Sequence, residues 1–309
     1  MRITLARAAT FATMLSAVLW PIYTSATPAP QPPASPLKVL ATTTQIQDFV
    51  RNVGGDRILL MRVLEGNTDA HEYQPIAEDA RKVADADLIF QNGVGLEPWF
   101  DRLAQNARPG VTVVKLGEES LIPLRPGDDE EPLGDPHVWF DPNNAIRMVA
   151  KIRDTLKATD PSGAAVYESS AEAYTAQLRQ LDQDLAVEWS TVPAERRKLV
   201  TNHEAFGYYV DRYQLIFVGS VIPGLSTEAE PSAAETQRLI ASIRAQGVRA
   251  IFTDGSINPR LAQQIAQQAG VQTYSNLYGD SLGKPGSDGD TYIKMMRFNT
   301  QTMISGMSQ

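Results

Sequence analysis

Short apolar runs alternate with helical patterns through the first half of the chain. Runs at 38–42, 58–64, 87–91 and 111–115 predict strands. Most are continuously apolar rather than alternating, the pattern of strands covered by helices on both faces. Helices fit between them, for example over 79–85, and this βαβ order implies a mostly parallel sheet. The order recurs near the C-terminus, with strands predicted at 198–201, 215–218, 250–253 and 272–275. Ser232-Ala233-Ala234-Glu235 opens one intervening helix as a capping box, in which each end side chain satisfies a free amide. Asn258-Pro259 opens the next, a capping residue followed by proline at the first helical position. The fold class expected is α/β, in two lobes that each carry a mostly parallel sheet flanked by helices.

A long helical pattern separates the two, opened by Asp160-Pro161. Its apolar positions Tyr167, Ala171, Tyr174, Leu178, Leu181 and Leu185 are spaced four, three, four, three, four. From 161 to 189 it would run roughly 40 Å, enough to span both lobes. A dimerising coiled coil fits less well, because the stripe is only about four turns long. The expected organisation is an N-terminal lobe over 37–159, a linking helix over 160–190 and a C-terminal lobe over 191–309.

The first 26 residues read as an export signal. Arg2 and Arg7 precede an apolar stretch over 8–21, and Thr24-Ser25-Ala26 suits cleavage after Ala26. That stretch is shorter than the ~20 residues of a membrane span, and no later segment reaches that length. A Pro/Ala-rich leader follows over 27–36. Losing two arginines and no acid moves the net charge from −8 to about −10. Such acidity argues against nucleic acid and anionic membranes as partners and suits a cationic ligand. Cysteine is absent, so neither a thiolate metal site nor a lipid-bearing cysteine is expected, and the chain reads as a soluble protein of a periplasm-like space.

The whole chain holds three histidines, His71, His137 and His203. All three fall in turn-rich segments leaving strands or entering helices, and in open parallel sheets those loops face the ligand crevice. Neutral imidazole is the commonest protein metal ligand, and three with one carboxylate complete a tetrahedral zinc set. Asp280, after the last strand, is the best-placed acid. The competing reading is an enzyme, a zinc hydrolase with an open three-histidine site. No His-Glu-x-x-His segment or phosphate-cradling glycine loop supports it.

Seven segments make the chain resemble the metal-binding solute-binding proteins of zinc and manganese ABC importers. They are Ala70-His71-Glu72-Tyr73-Gln74-Pro75, Asn92-Gly93-Val94-Gly95-Leu96-Glu97-Pro98-Trp99, and Asp135-Pro136-His137-Val138-Trp139-Phe140-Asp141-Pro142. Next come Asn202-His203-Glu204-Ala205-Phe206-Gly207-Tyr208 and Ser226-Thr227-Glu228-Ala229-Glu230-Pro231-Ser232-Ala233. Asp280-Ser281-Leu282 and Gly289-Asp290-Thr291-Tyr292 complete the series. The resemblance implies two lobes joined by one long rigid helix with the metal in the cleft, and an ABC importer permease as partner. It assigns His71 and His137 as ligands from the first lobe, and His203 and Asp280 from the second. Glu204, Glu228 and Glu230 become candidates for supporting roles behind the ligands. The chain is expected to act as a monomer and not as an enzyme; whether a metallochaperone loads it stays open, as does a surface-adhesin role.

Three imidazoles favour Zn2+ over Mn2+, which prefers oxygen-rich sites, and Mn2+ remains the alternative. Many zinc-binding relatives carry a histidine-rich loop before the second ligand. Here the stretch 127–135 holds Asp128, Asp129, Glu130 and Glu131 instead, which reads as a solvated loop or a weak cation-collecting surface. The Asp280 segment, with Gly279, Gly283, Gly286 and Gly289, is expected to be the hinged gate for release.

Overall fold

A computed structural model describes residues 36–129 and 131–308. The export signal over 1–26 and all but the last residue of the leader lie outside them. Strands β1 (Leu37–Ala41), β2 (Ile58–Arg62), β3 (Leu88–Gln91) and β4 (Thr112–Lys115) form a sheet in the order β2-β1-β3-β4, with every pairing parallel. The helices among them are α1 (Thr44–Gly54), α2 (Ala77–Asp85) and α3 (Phe100–Leu103). After α4 (Pro142–Thr159) and α5 (Ala164–Ser190) the plan repeats. Strands β5 (Lys198–Thr201), β6 (Ile216–Ser220), β7 (Ala250–Asp254) and β8 (Gln272–Leu277) form a parallel sheet ordered β6-β5-β7-β8. Its helices are α6 (Gly207–Tyr213), α7 (Ala233–Gln246), α8 (Arg260–Ala269) and the closing α9 (Tyr292–Ser308). The expected α/β class holds, and each strand lies within three residues of its predicted bounds.

Both sheets reverse their winding beside their first strand, between β1 and β3 and between β5 and β7. Such a reversal leaves a crevice at the carboxyl ends of the strands, because the flanking connections depart to opposite sides. The central strand β3 is fully buried along its length, while the edge strand β4 is mostly exposed. One apolar core runs through both lobes and contains residues of α1, α4, α5 and α9; one smaller cluster lies in each lobe besides.

Helix α5 has 27 residues, about 40 Å of rise. Its predicted stripe, from Tyr167 to Leu185, is buried as expected and continues to Trp189. The helix starts later than the Asp160-Pro161 signal suggests, because Pro161–Gly163 forms a 3-10 turn. Asp160 holds that turn: its carboxylate accepts from Arg57 Nη2 at 2.9 Å, Tyr167 Oη at 2.8 Å and Ser162 Oγ at 2.5 Å. The Ser232/Glu235 capping box forms at α7. At α8, Asn258 Oδ1 accepts from the Arg260 amide at 3.0 Å, with Pro259 just before the helix rather than inside it. Among the described residues no helix is long and apolar enough to cross a membrane.

Because Leu178 is completely buried midway along α5, Leu178→Ala should cost about 2–5 kcal/mol through lost transfer energy and a residual cavity. Urea unfolding of the metal-free protein measures this; an unchanged midpoint would show that α5 does not anchor the shared core.

Candidate metal centre

Each of the three histidines is presented by a short polar device. Asp69 Oδ1 accepts from the His71 amide at 2.9 Å, and Trp99 Nε1 donates to the Ala70 carbonyl at 2.8 Å, so the peptide before His71 is held from both sides. Asp135 repeats the first motif two residues before His137: its Oδ1 accepts from the His137 amide at 3.0 Å and lies 2.9 Å from ring Nδ1. Tyr208 of α6 donates to the Asp135 carbonyl at 3.0 Å, and Asn92 donates to the Pro136 carbonyl at 2.9 Å. His203 lies two residues beyond β5, where Thr201 Oγ1 donates to its carbonyl at 2.6 Å. The Asp280 amide donates to Asp254 Oδ2 at the end of β7, at 3.2 Å. Three of the four segments follow the carboxyl ends of strands β2, β5 and β8.

The structure brings His71, His137, His203 and Asp280 together, with one ligand atom from each lying within 4.8 Å of all the others. His137 Nε2 and His203 Nε2 each stand 3.3 Å from Asp280 Oδ1, and His71 Nε2 is 3.5 Å from His137 Nε2. All four residues are between 0 and 2% exposed. Yet His203 Nε2 and both Asp280 carboxylate oxygens make no hydrogen bond within the protein. Buried polar atoms rarely go unpaired, because desolvation then costs about 1–3 kcal/mol each. Their separations fit a shared ion: ligand atoms about 2.0–2.1 Å from a tetrahedral centre stand about 3.3 Å apart.

Electrostatics couples these groups. Burial alone would pull the His137 imidazole down, but the Asp135 and Asp280 carboxylates outweigh it and hold the ring up to about 10. Burial would push Asp280 up, but the His203 and His137 rings keep it well below the usual carboxylate range. Asp254, sealed behind Asp280, is pushed up to about 6 by burial and by the Asp280 charge.

Several expectations need correction. Glu204 is half-buried and its carboxylate accepts from Ser220 Oγ at 3.4 Å, while Glu228 and Glu230 are exposed. Glu228 sits across a cleft cavity of about 510 Å³ that His71, Tyr73 and Trp99 also line. The carboxylates that touch these residues are instead Asp135 against His137, Glu131 against His71 and Asp254 against the Asp280 amide. The acidic stretch is correspondingly not a simple solvated loop, since Glu131 and Asp135 are buried within it. Asp135 had a local signal, the Asp-x-His spacing shared with Asp69-Ala70-His71; Glu131 and Asp254 reach the site only through the tertiary fold.

The glycines near Asp280 also serve a different purpose from hinging. A Cβ on Gly279 would lie 2.1 Å from Asp254 Oδ2, one on Gly283 2.1 Å from Ser287 Oγ, and one on Gly289 2.2 Å from the Tyr278 ring. Close approach demands glycine at these three; of the four, only Gly286 has a positive φ, +86°. The segment is also fastened to the first lobe. Leu282 N donates to Thr44 Oγ1 at 2.7 Å, Asn67 N to the Leu282 carbonyl at 2.9 Å, and Thr68 N to Ser281 Oγ at 3.0 Å, with Gln45 Nε2 reaching the Gly279 carbonyl at 3.3 Å.

Comparison with known proteins follows this geometry. The family model described as zinc-uptake complex component A, periplasmic, matches residues 39–306. A manganese ABC transporter substrate-binding lipoprotein, PsaA of Streptococcus mitis, is 31% identical over 279 residues, covering 88% of this chain and 90% of its own. The manganese-binding lipoprotein MntA of Halalkalibacterium halodurans is 32% identical over 274 residues, 88% and 89% of the two chains. Among solved structures, the periplasmic zinc-binding protein TroA of Treponema pallidum superposes with a TM-score of 0.83 at 30% identity, covering 89% of this chain and 100% of its own. A manganese-bound periplasmic metal-binding protein of Candidatus Liberibacter asiaticus gives 0.79 at 25% identity, covering 88% and 99%.

The raised His137 ring has a direct spectroscopic consequence. In metal-free protein its ring proton signals should remain those of imidazolium at pH 8 and move only near pH 10, with Asp135→Asn shifting that titration downward. A neutral His137 ring at pH 8 in the parent protein would show that the two carboxylates do not dominate burial.

Proposed function

This chain belongs to the periplasmic zinc-uptake component A family, the metal-binding components of ABC importers, and from that premise we propose that it captures one zinc ion between its lobes and delivers it to the importer's membrane permease. In this reading His71, His137 and His203 ligate through Nε2 and Asp280 through a carboxylate oxygen, and the protein acts as a monomer. The observation that carries it is the convergence of four buried ligand atoms within 4.8 Å of one another, among which His203 Nε2 and the Asp280 oxygens have no hydrogen-bond partner. Family members are substrate-binding components of transporters, so the hydrolase alternative is set aside.

Zinc rather than manganese is inferred from the donors: three imidazole nitrogens and one oxygen suit zinc, whereas manganese favours carboxylate, carbonyl and water. Manganese is supported by the names of the two bacterial lipoproteins above. Affinity ranking alone does not separate the two, because zinc outbinds manganese at most nitrogen and oxygen sites. The metal carried by untagged protein purified from its own cells does. One zinc per chain is expected, and His137→Ala or His203→Ala should lose most of the affinity in calorimetric titration. Stoichiometric manganese in the native protein, or two comparably tight zinc sites, would overturn this reading.

Proton linkage provides a second test. A ring held up to about 10 carries its proton at neutral pH, and ligation must displace it. Affinity should therefore rise with pH, by about tenfold per unit between pH 7 and 9. Calorimetry in buffers of different ionisation enthalpy should report about one proton released per ion at pH 7.5. No proton release at that pH would remove His137 from the ligand set.

A further inference from the structure

We propose that Glu131, from the acidic stretch before the second ligand, is the positioning residue for His71. It orients the ring from behind so that Nε2 faces the ion. This inference rests on His71 being a metal ligand, as proposed above. His137 has Asp135 at its Nδ1, but the segment that bears His71 provides no carboxylate for its ring: Asp69 is engaged with the amides of His71 and Glu72. Glu131 fills that place from sixty residues away in the chain. Its Oε1 lies 3.3 Å from His71 Nδ1, at ion-pair distance although not aligned as a hydrogen bond. Both side chains are almost wholly buried, at 1% and 8% exposure.

The surrounding backbone is shaped to admit that carboxylate. Gly95, at φ +88°, lies against it so closely that a Cβ there would stand 1.9 Å from Glu131 Oε2. Gly127 makes the same allowance for the Glu131 carbonyl, with a Cβ–oxygen separation of 1.9 Å. The Glu131 amide donates to Asp128 Oδ1 at 2.7 Å, and the Leu225 amide of the second lobe donates to Asp128 Oδ2 at 2.7 Å. One carboxylate thus ties the Glu131 backbone to the far side of the cleft. With the ion on Nε2, Nδ1 bears the proton, and a small rotation of either side chain turns the 3.3 Å contact into a charge-assisted hydrogen bond. Such a partner fixes the tautomer and ring orientation and makes the ligand more basic; its removal from metal sites typically costs 10–100-fold in affinity.

The test is zinc titration of the parent, Glu131→Ala, Glu131→Gln, His71→Ala and the His71→Ala/Glu131→Ala double variant. A parent that binds no zinc overturns the functional reading itself, separately from this inference. Given parental binding, Glu131→Ala should weaken zinc 10–100-fold. Glu131→Gln, nearly isosteric and still able to accept from Nδ1–H, should recover most of that loss. In the His71→Ala background, Glu131→Ala should have no further effect, because its partner ring is gone. An Ala variant that binds as tightly as the parent, or an equal loss with and without His71, would overturn the proposal; the second result would assign Glu131 to holding the loop alone.

Discussion

Four donor atoms in this protein are brought within reach of one another in a space closed to water, and most of the architecture is organised around tolerating that. A carboxylate and imidazoles at such depth carry a desolvation cost that ordinary packing does not offset. The chain meets it by layering charge. Asp280 lies against His137 and His203, His137 is backed by Asp135, and Asp280 is backed through its amide by Asp254. What this layering leaves unpaired is His203 Nε2 and the two Asp280 oxygens, beside the other two rings. A divalent cation there satisfies several unpaired atoms at once, so the strength of binding and the discomfort of the metal-free centre share one physical origin.

Holding such a centre together requires that the lobes not drift apart. The shared apolar core does part of this, since α5 buries one face along nearly its whole length against α1, α4 and α9. Bending a helix so packed would break backbone hydrogen bonds and expose aromatic surface together. Polar links do the rest near the cleft, where the Asp280 segment is bonded to Thr44, Gln45, Asn67 and Thr68 of the first lobe. Across from it, Asp128 and Tyr208 join the acidic stretch to the second lobe. The two lobes are thus held by both a helical frame and a few short polar contacts around His71, His137, His203 and Asp280.

The sequence by itself determined the class of fold and much of the centre. Continuous apolar runs can only be doubly covered strands or buried helix, and their shortness and βαβ spacing select parallel sheets; the three-four stripe from Tyr167 to Leu185 selects one long packed helix. Three histidines in turn-rich loops after strands, with Asp280 after the last, are what the crevice of an open parallel sheet collects. The tertiary structure decided the rest, because it depends on distance in space rather than in sequence. Glu131 is sixty residues from His71, and Asp254 is twenty-six from Asp280, so no local spacing marks either as a partner. The same reason explains the glycines around Asp280. A string of glycines reads as freedom when only the backbone is considered, but here a carboxylate, a hydroxyl and an aromatic ring occupy the space where three of their side chains would be.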